Sequence, residues 1–383
     1  METGIILSGG GARAAYQVGV LRGISDMYPD WENPFRVIVG TSAGAINAVA
    51  MAGGHRIFRH NISHLERLWS DISVESIYKS QTLDLFRNMT GVARRLFVAQ
   101  QHASPVALLN NSPLRKLLEE EVDFDAISSA IDEGRLSALG VNACGYSTGQ
   151  NLCFFQGRKD LQSWTVGQRA GSRTRLTLDH VMASTAIPTV FPPVLINREY
   201  FGDGVTRQMA HISPALRLGA DRVLVIGVSA NSMCPVERPE PPGSPTFAQV
   251  IAQVFNGMFL DTLDYDIDRL RLINRLLELI PEAEQQKAGI DLKPINVLDI
   301  SPSQQINDIA AKYIGGMPLV LRNLVGATDR HHGTAASLAS YLLFDPRFCQ
   351  ELISLGYHDA QQHANQINRF FHQPSEGEAG VNG

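Results

Sequence analysis

The chain has 383 residues, of which 44% are hydrophobic and 19% are charged, enough for one large globular domain or two. Its formal net charge is −5, which gives no general attraction to nucleic acid, so we expect no nucleic-acid partner. No run of residues approaches the roughly 18 apolar positions that a membrane span needs.

The first residues, METGIILSGG, lack the basic region of a signal peptide. The four cysteines are scattered and form no CxxC pair, so we expect reduced thiols and neither a disulfide framework nor a zinc site. Together these features predict a cytoplasmic protein.

The N-terminal part alternates between strand and helix patterns. GIILS at 4–8 is a short apolar run beside glycine, which predicts a buried strand, and AAYQVGVLRGISDMY has helical spacing that Pro29 ends. FRVIV at 35–39 predicts a second strand, and SAGAINAVAMAGG predicts a helix of small residues. This order is typical of a parallel sheet with crossover helices.

Further elements follow along the chain. LSALGVNACGYSTGQNLCFFQG predicts two strands around the turn STGQ, and the stretch after it is basic. LTLDHVMASTAIP predicts a helix that Pro188 ends, FPPVLINREYFGDGV a short strand pair, and DRVLVIGVS another buried strand. After the linker the sequence predicts helices, apart from one more strand pattern in INVLDISP.

Composition predicts the domain organisation. A first domain spans 4–230 and contains a helical insert or cap at 55–110. A proline-rich linker at 231–246 leads to a mostly helical region at 247–371, and 372–383 is predicted to be disordered.

A Gly-x-Ser-x-Gly run, GTSAG, lies between the second strand and the helix after it. A serine hydroxyl is a poor nucleophile that needs a sharply turned backbone, a base and donors for the oxyanion. Gly40 and Gly44 would leave space for such an elbow at Ser42, and the helix N-terminus adds partial positive charge. The alternative is a plain glycine-containing loop.

A glycine-rich loop, SGGGAR, follows the first strand. Neighbouring parallel strands end at the same edge of a sheet, so this loop would lie beside Ser42. Gly9, Gly10 and Gly11 could turn several N–H groups toward one point, with the charge of Arg13 nearby. We therefore predict an oxyanion hole.

Two alternatives for this loop stay open. Gly9, Gly11 and Ala14 also match the G-x-G-x-x-G/A pattern of a dinucleotide-binding loop, although GTSAG stands where that fold has its ribose-binding acidic residue. The loop could also be a tight turn without further function. A Walker loop is excluded because no Gly-Lys-Ser/Thr follows the glycines.

Asp203 in YFGDGV is a candidate base, although an aspartate between two glycines also suits an ordinary turn. A triad of the α/β-hydrolase kind would instead need a late histidine. His331, His332 and His358 are available, but nothing around them singles them out.

The acidic run DYDIDR resembles a calcium loop only briefly. Arg269 and Arg275 occupy the positions where that loop needs glycine and glutamate. We expect no metal and no cofactor.

Taken together, SGGGARAAYQVGVL, GTSAG and GDGV resemble the patatin-like phospholipases of bacteria, and DHVMASTAIPTVFPPV is similar to the segment ahead of that family's aspartate. The resemblance covers residues 4–230, and ELISLGYHDA extends it more weakly. It implies an α/β fold in which helices wrap a mainly parallel central sheet in three layers, with an α-rich C-terminal extension.

The family's catalytic apparatus is a Ser–Asp dyad without histidine. Carried over to this chain, Ser42 is the nucleophile, Asp203 its base, Gly204 the glycine of the aspartate motif, and the glycine-rich loop the oxyanion hole. The chain departs from the family at Ala14, where glycine is usual, and at Val205, where alanine or glycine is usual. A bulkier Val205 would narrow the acyl site.

The resemblance implies a serine hydrolase of the phospholipase A or lysophospholipase type that acts on lipid esters. An acyltransferase with the same dyad and a non-enzymatic nucleotide-binding or scaffold protein are the alternatives. The sequence predicts neither the head group nor the oligomeric state.

The insert carries basic residues with apolar residues between them, which is typical of a helix at a membrane surface. The basic residues are Lys79, Arg87, Arg94 and Arg95, and the apolar ones are Leu83, Leu85, Phe86, Leu96 and Phe97. We expect peripheral contact with anionic lipid at the inner membrane face. The alternative is that the apolar residues pack on the core.

Overall fold

A computed structural model describes residues 1–79, 107–208, 211–230, 250, 253–254, 256–257, 261–289, 292–324 and 332–372. Within these ranges the predicted α/β fold is confirmed, and ten strands form one sheet. The strands are β1 (Thr3–Leu7), β2 (Val37–Thr41), β3 (Ala138–Gly145), β4 (Asn151–Gly157), β5 (Trp164–Val166), β6 (Arg169–Arg173), β7 (Val194–Ile196), β8 (Glu199–Asp203), β9 (Arg222–Ile226) and β10 (Asn296–Ile300).

Helices cover the sheet. The first seven are α1 (Ala15–Met27), α2 (Ala43–Ala52), α3 (Phe58–Ser70), α4 (Val74–Ile77), α5 (Ser112–Glu121), α6 (Phe124–Asp132) and α7 (Leu178–Ser184). The rest are α8 (Ser213–Arg217), α9 (Asp261–Leu279), α10 (Glu282–Lys287), α11 (Ile306–Tyr313), α12 (Leu319–Leu324), α13 (His332–Leu342), α14 (Pro346–Gln362) and α15 (Ala364–His372).

The centre of the sheet is parallel, as predicted, with the strand order β10-β9-β1-β2-β3. β3 then pairs antiparallel with both β4 and β8. Leu7 at the end of β1 is in register with Gly40 of β2, so the glycine-rich loop and the GTSAG turn leave the sheet side by side. Ala143 of β3 is in register with Asp203, which brings the end of β8 to the same region.

Both faces of the sheet are buried, because side chains along each central strand alternate between two apolar clusters. In β1, Ile5 and Leu7 belong to the larger cluster and Ile6 to the smaller one. In β2, Ile38 lies in the larger cluster and Val39 in the smaller. Helices on both sides therefore complete the three layers that the sequence predicts.

The C-terminal helices pack into the same core as the N-terminal elements. A Cβ on Gly19 of α1 would lie 2.0 Å from the Ile353 carbonyl oxygen, so α1 and α14 touch backbone to backbone. The buried Tyr16 hydroxyl also donates to Asp359 of α14 at 2.9 Å. How the chain divides into domains stays a prediction.

Two local predictions need correction. β2 runs two residues further than predicted, to Thr41, because Gly40 and Thr41 pair with β3. The basic stretch after β4 forms the hairpin β5–β6, which the sequence analysis missed. Its Trp164 stacks on Phe155 with ring centroids 5.2 Å apart, so a tertiary contact stabilises this hairpin.

Several predictions concern residues outside the described ranges. These are the linker at 231–246, nearly all of the tail at 372–383, and residues 80–106 of the insert with Arg87, Arg94 and Arg95. Lys79 is described, is exposed and pairs with Asn110 in an isolated bridge. Among the described helices, none is long and apolar enough to cross a membrane.

Candidate active site

Ser42 lies in a strained turn between β2 and α2, with φ 55° and ψ −131°. Few residues other than glycine adopt a positive φ, and such strain is often found at functional sites. Close contacts explain the flanking glycines: a Cβ on Gly44 would lie 2.2 Å from the Leu7 carbonyl oxygen, and one on Gly40 would lie 2.5 Å from that of Gly44. The turn therefore has the geometry of a nucleophile elbow.

The Ser42 hydroxyl donates to Asp203 Oδ2 at 2.6 Å. Both residues are nearly inaccessible, with 2% of Ser42 and 1% of Asp203 exposed. The other carboxylate oxygen of Asp203 accepts from the Val205 N–H at 3.0 Å, and the Asp203 N–H donates to the Ala186 carbonyl at 2.9 Å. The carboxylate is thus held at the end of β8 in one orientation.

Burial raises the pKa of Asp203 to about 7, although the hydrogen bonds from Ser42 and Val205 favour its charged form and lower it. A carboxyl group with a pKa near neutral pH can accept a proton and later release it at that pH. The electrostatics of the pair therefore suit general acid–base chemistry.

A serine that the sequence analysis did not single out supports the elbow. Ser184 at the end of α7 accepts a hydrogen bond from the Ser42 N–H at 2.9 Å and donates its own proton to the Asn142 carbonyl at 2.6 Å. Asn142 in turn donates to the Thr41 hydroxyl at 2.9 Å. The only sequence signal for Ser184 was its place in the segment DHVMASTAIPTVFPPV.

The glycine-rich loop lies next to Ser42, and Gly11 and Ser42 line the same pocket. Gly11 has φ 56°, and a Cβ there would lie 2.1 Å from the Tyr341 carbonyl oxygen. Gly9 and Gly10 are buried between β1 and the 3₁₀ turn that starts at Gly11. The loop is therefore close enough to the elbow to face a substrate carbonyl.

The Arg13 side chain is buried and bonded to helices from the C-terminal part of the chain. Its guanidinium donates to the Ser340 hydroxyl at 2.8 Å and to Asn307 Oδ1 at 2.9 Å, and it lies 4.1 Å from the centre of the Tyr341 ring. These partners belong to α11 and α13. The side chain therefore ties the glycine-rich loop to the C-terminal helices.

The remaining motif residues lie around Asp203. The Gly204 carbonyl accepts from Asn151 Nδ2 at 2.9 Å, which anchors the turn after the aspartate to β4. Val205 is buried in the larger apolar cluster. Of the late histidines, His358 is exposed and bonds to Gln362 on its own helix, whereas His331 lies outside the described residues.

An apolar pocket with a volume of about 30 Å³ adjoins Ser42. Its walls come from α2, α3, α5, the segment after α7 and the residues around α13, and include Ile46, Trp69, Leu118, Phe191 and Phe344. A low-polarity pocket beside a buried Ser–Asp pair suits a hydrocarbon group attached to an ester carbonyl. Over the described ranges, no group of three or more His, Cys, Asp or Glu side chains could hold a metal ion.

Comparisons with known proteins found a matching family model and similar solved structures. A family model described as "Patatin-like phospholipase" matches residues 5–216, more than half of the chain. No curated protein matches the chain.

Two solved structures are similar to the chain at low identity. VipD from Legionella pneumophila has a TM-score of 0.40 and 13% identity, over 96% of this chain and 67% of that one. The complex of full-length SpcU with full-length ExoU from the type III secretion system of Pseudomonas aeruginosa has a TM-score of 0.22 and 17% identity, over 40% of this chain and 34% of that one.

Proposed function

The chain belongs to the patatin-like phospholipase family, and from that premise we propose that it is a serine acyl hydrolase that cleaves carboxylic esters of lipids. Ser42 is the nucleophile and Asp203 is its base. The observation that carries the proposal is the 2.6 Å hydrogen bond from the Ser42 hydroxyl to Asp203, on a strained elbow beside an apolar pocket.

In the first half of the reaction, Asp203 accepts the hydroxyl proton while Ser42 Oγ attacks the ester carbonyl carbon. N–H groups of the glycine-rich loop stabilise the negative charge that develops on the carbonyl oxygen. The tetrahedral intermediate then expels the alcohol, which takes the proton from Asp203, and the acyl group remains on Ser42.

In the second half, Asp203 accepts a proton from water, and the resulting hydroxide attacks the acyl-enzyme. The second tetrahedral intermediate expels Ser42 Oγ, which recovers its proton from Asp203, and the fatty acid leaves. The dyad ends in its starting protonation state, so the cycle needs no metal and no cofactor.

The glycine-rich loop is a better source of oxyanion donors than the Ser42 N–H. The Ser42 N–H already donates to Ser184, whereas the loop lies against the pocket through Gly11. Arg13 contributes indirectly in this proposal, because its guanidinium bonds to the C-terminal helices.

The pocket supports a hydrocarbon acyl group as the part of the substrate that it binds. Its lining is almost wholly apolar, and burial of each methylene contributes about 0.8 kcal/mol to binding. A volume of about 30 Å³ is small beside a fatty acyl chain, so the apolar side chains around it must move apart when a long chain binds.

Incubation of the pure protein with a lipid panel tests the function. Fatty acid should be released from at least one phospholipid or lysophospholipid class, and Ser42→Ala should release none. Adding an alcohol or thiol acceptor separates hydrolysis from acyl transfer, because a transferase would form the acylated acceptor in preference to the free acid. If no ester is cleaved and no acyl group is transferred, the proposed function is wrong.

Peripheral contact with anionic lipid stays a separate proposal. It depends on Arg87, Arg94 and Arg95 of the insert, which lie outside the described residues. Binding to anionic vesicles that weakens with added salt, and weakens further when these arginines are changed to Gln, would support it.

A further inference from the structure

A chain of buried polar side chains runs beneath the glycine-rich loop. Trp69 of α3 donates from Nε1 to Asn47 Oδ1 at 2.7 Å, and Asn47 of α2 donates from Nδ2 to Gln17 Oε1 of α1 at 2.9 Å. At most 1% of each of these side chains is exposed. Buried amides are retained at such positions only when their hydrogen bonds are made, because a buried amide without a partner destabilises the fold.

This series of hydrogen bonds runs in one direction, which the indole N–H of Trp69 determines. A tryptophan N–H can only donate, so it must face the oxygen of Asn47. The Asn47 nitrogen then points at the Gln17 oxygen, which leaves the Gln17 nitrogen free to donate further along. Both amides are therefore held in a single orientation, with their N–H groups toward the loop.

Those N–H groups hold the two ends of the glycine-rich loop. Gln17 Nε2 donates to the Ser8 carbonyl at 2.8 Å, and Asn47 Nδ2 donates to the Ala14 carbonyl at 3.2 Å. The Ser8 hydroxyl also donates to the Ile226 carbonyl of β9 at 3.1 Å, which fastens the start of the loop to the sheet. The glycines lie between these two anchor points.

We propose that Gln17 and Asn47 are positioning residues for the reaction: they hold the backbone between Ser8 and Ala14 so that the glycine N–H groups meet the developing oxyanion. This inference rests on the proposed function. Asn47 lies on α2, the helix that begins at the Ser42 elbow, so one rigid element carries both the nucleophile and an anchor of the oxyanion loop.

The same series of hydrogen bonds connects the glycine-rich loop to the apolar pocket beside Ser42. Trp69 is part of the pocket wall and is also the first donor in this series of hydrogen bonds. The indole ring that contacts the acyl chain therefore also fixes, through Asn47 and Gln17, the direction of the two amides that hold the loop.

The test uses two variants that keep side-chain size. Gln17→Met removes the amide and preserves most of its volume, while Asn47→Asp in its ionised form accepts from Trp69 but cannot donate to Ala14 or Gln17. Each should lower kcat on a soluble ester about tenfold to a hundredfold, the cost of a misplaced catalytic group, with a much smaller change in KM. The rate of labelling by a fluorophosphonate should fall in parallel, because the tetrahedral phosphorus uses the same donors.

Asn61 offers a matched control. It is equally buried, and its Nδ2 donates to the Met51 carbonyl at 2.7 Å at the far end of α2, away from the loop. Asn61→Leu should lower the thermal unfolding temperature as much as the other two variants do, yet leave kcat unchanged. The midpoint of the pH–rate profile should be the same in Gln17→Met and Asn61→Leu as in the wild type, since neither substitution adds a charge near Asp203.

Different outcomes test the positioning role and the proposed hydrolase function. If the wild-type protein cleaves ester but both Gln17→Met and Asn47→Asp retain its kcat, or lose no more than Asn61→Leu, the positioning role is wrong and the hydrolase stands. A wild-type protein without ester cleavage or labelling overturns the function, and the positioning role with it. If one variant does not fold, the other decides by the same criterion, and failure of both to fold while Asn61→Leu folds assigns the amides to stability instead.

Discussion

Ser42 and Asp203 are separated by 161 positions in the sequence, yet their side-chain oxygens lie 2.6 Å apart and are almost wholly buried. Ser42 follows the end of β2 and Asp203 ends β8, and both strands pair with the same edge of β3, since β4 pairs with its other edge. The pair therefore depends on β3, because β2 and then β8 lie one after the other along a single edge of that strand.

Ser42→Ala should abolish labelling by a fluorophosphonate and all ester cleavage, because Ser42 Oγ is the atom that forms the covalent intermediate in the proposed mechanism. Mass spectrometry of the labelled protein measures this directly and locates the adduct. Ser63→Ala, which removes an exposed hydroxyl bonded within α3, serves as the control and should label normally. Undiminished labelling of the Ser42 variant would refute its role as nucleophile.

Asp203→Asn should reduce kcat by about a hundredfold or more, since loss of a general base usually costs between about 10² and 10⁴. The asparagine can still accept from the Val205 N–H, so the geometry of the turn should be retained. Asp359→Asn is the control, because that buried carboxylate bonds to Tyr16 and Ser303 instead. A folded histidine variant as inactive as Asp203→Asn would contradict a dyad mechanism.

The pKa of Asp203 predicts how activity and stability depend on pH. Its pKa is raised from 3.8 to about 7 by burial, so kcat/KM should rise with pH through an inflection near 7. The folded state therefore favours the neutral form of the Asp203 carboxyl over its charged form. Its contribution to stability is therefore full below about pH 3.8 and is lost as pH rises through about 7.

Denaturant unfolding of the wild type and of Asp203→Asn between pH 4 and pH 8 tests the stability part. The wild type should lose on the order of a few kcal/mol relative to the variant over this interval, because only the wild type must bury a charge at the higher pH. Parallel stability curves for the two proteins would show that Asp203 titrates at its ordinary pKa.

Ser184→Ala should weaken the elbow, since the Ser42 N–H loses its acceptor and the strained φ of Ser42 loses a support. We expect a loss of about 1–3 kcal/mol in the free energy of unfolding and a lower kcat. Ser25→Ala removes a similarly buried hydroxyl that bonds to the Arg22 carbonyl of its own helix, and should affect neither catalysis nor stability as much. Equal kcat in the two variants would show that Ser184 does not support the nucleophile.

Leu118→Ala should shift the preference of the enzyme toward longer acyl chains, because it enlarges a pocket of about 30 Å³. A series of esters that differ only in acyl length measures the shift in kcat/KM. Leu355→Ala makes a cavity in the same apolar cluster but on α14, outside the pocket lining, and should leave the chain-length profile unchanged. The same profile in both variants would mean that the acyl group binds elsewhere.

Local signals in the sequence determined much of this protein. Apolar runs and turn residues predicted the central strands and the helices after them, because periodicity and glycine chemistry act over a few residues. The GTSAG and SGGGAR motifs predicted that Ser42 and the glycine-rich loop share one edge of the sheet, and Ser42 and Gly11 line the same pocket there. Asp203 was identified by resemblance of its motif to a family, since a Gly-Asp-Gly turn alone does not indicate a base.

The tertiary structure decided what depends on distant partners. The β5–β6 hairpin forms where Trp164 meets Phe155, Ser184 reaches the elbow only because α7 lies against α2 and β3, and Arg13 finds its partners on α11 and α13. No local sequence pattern predicts these contacts, because each joins segments that come together only when the sheet forms. The sequence by itself determined the chemical groups and their turns, and packing between distant segments decided their distances, their burial and the raised pKa of Asp203.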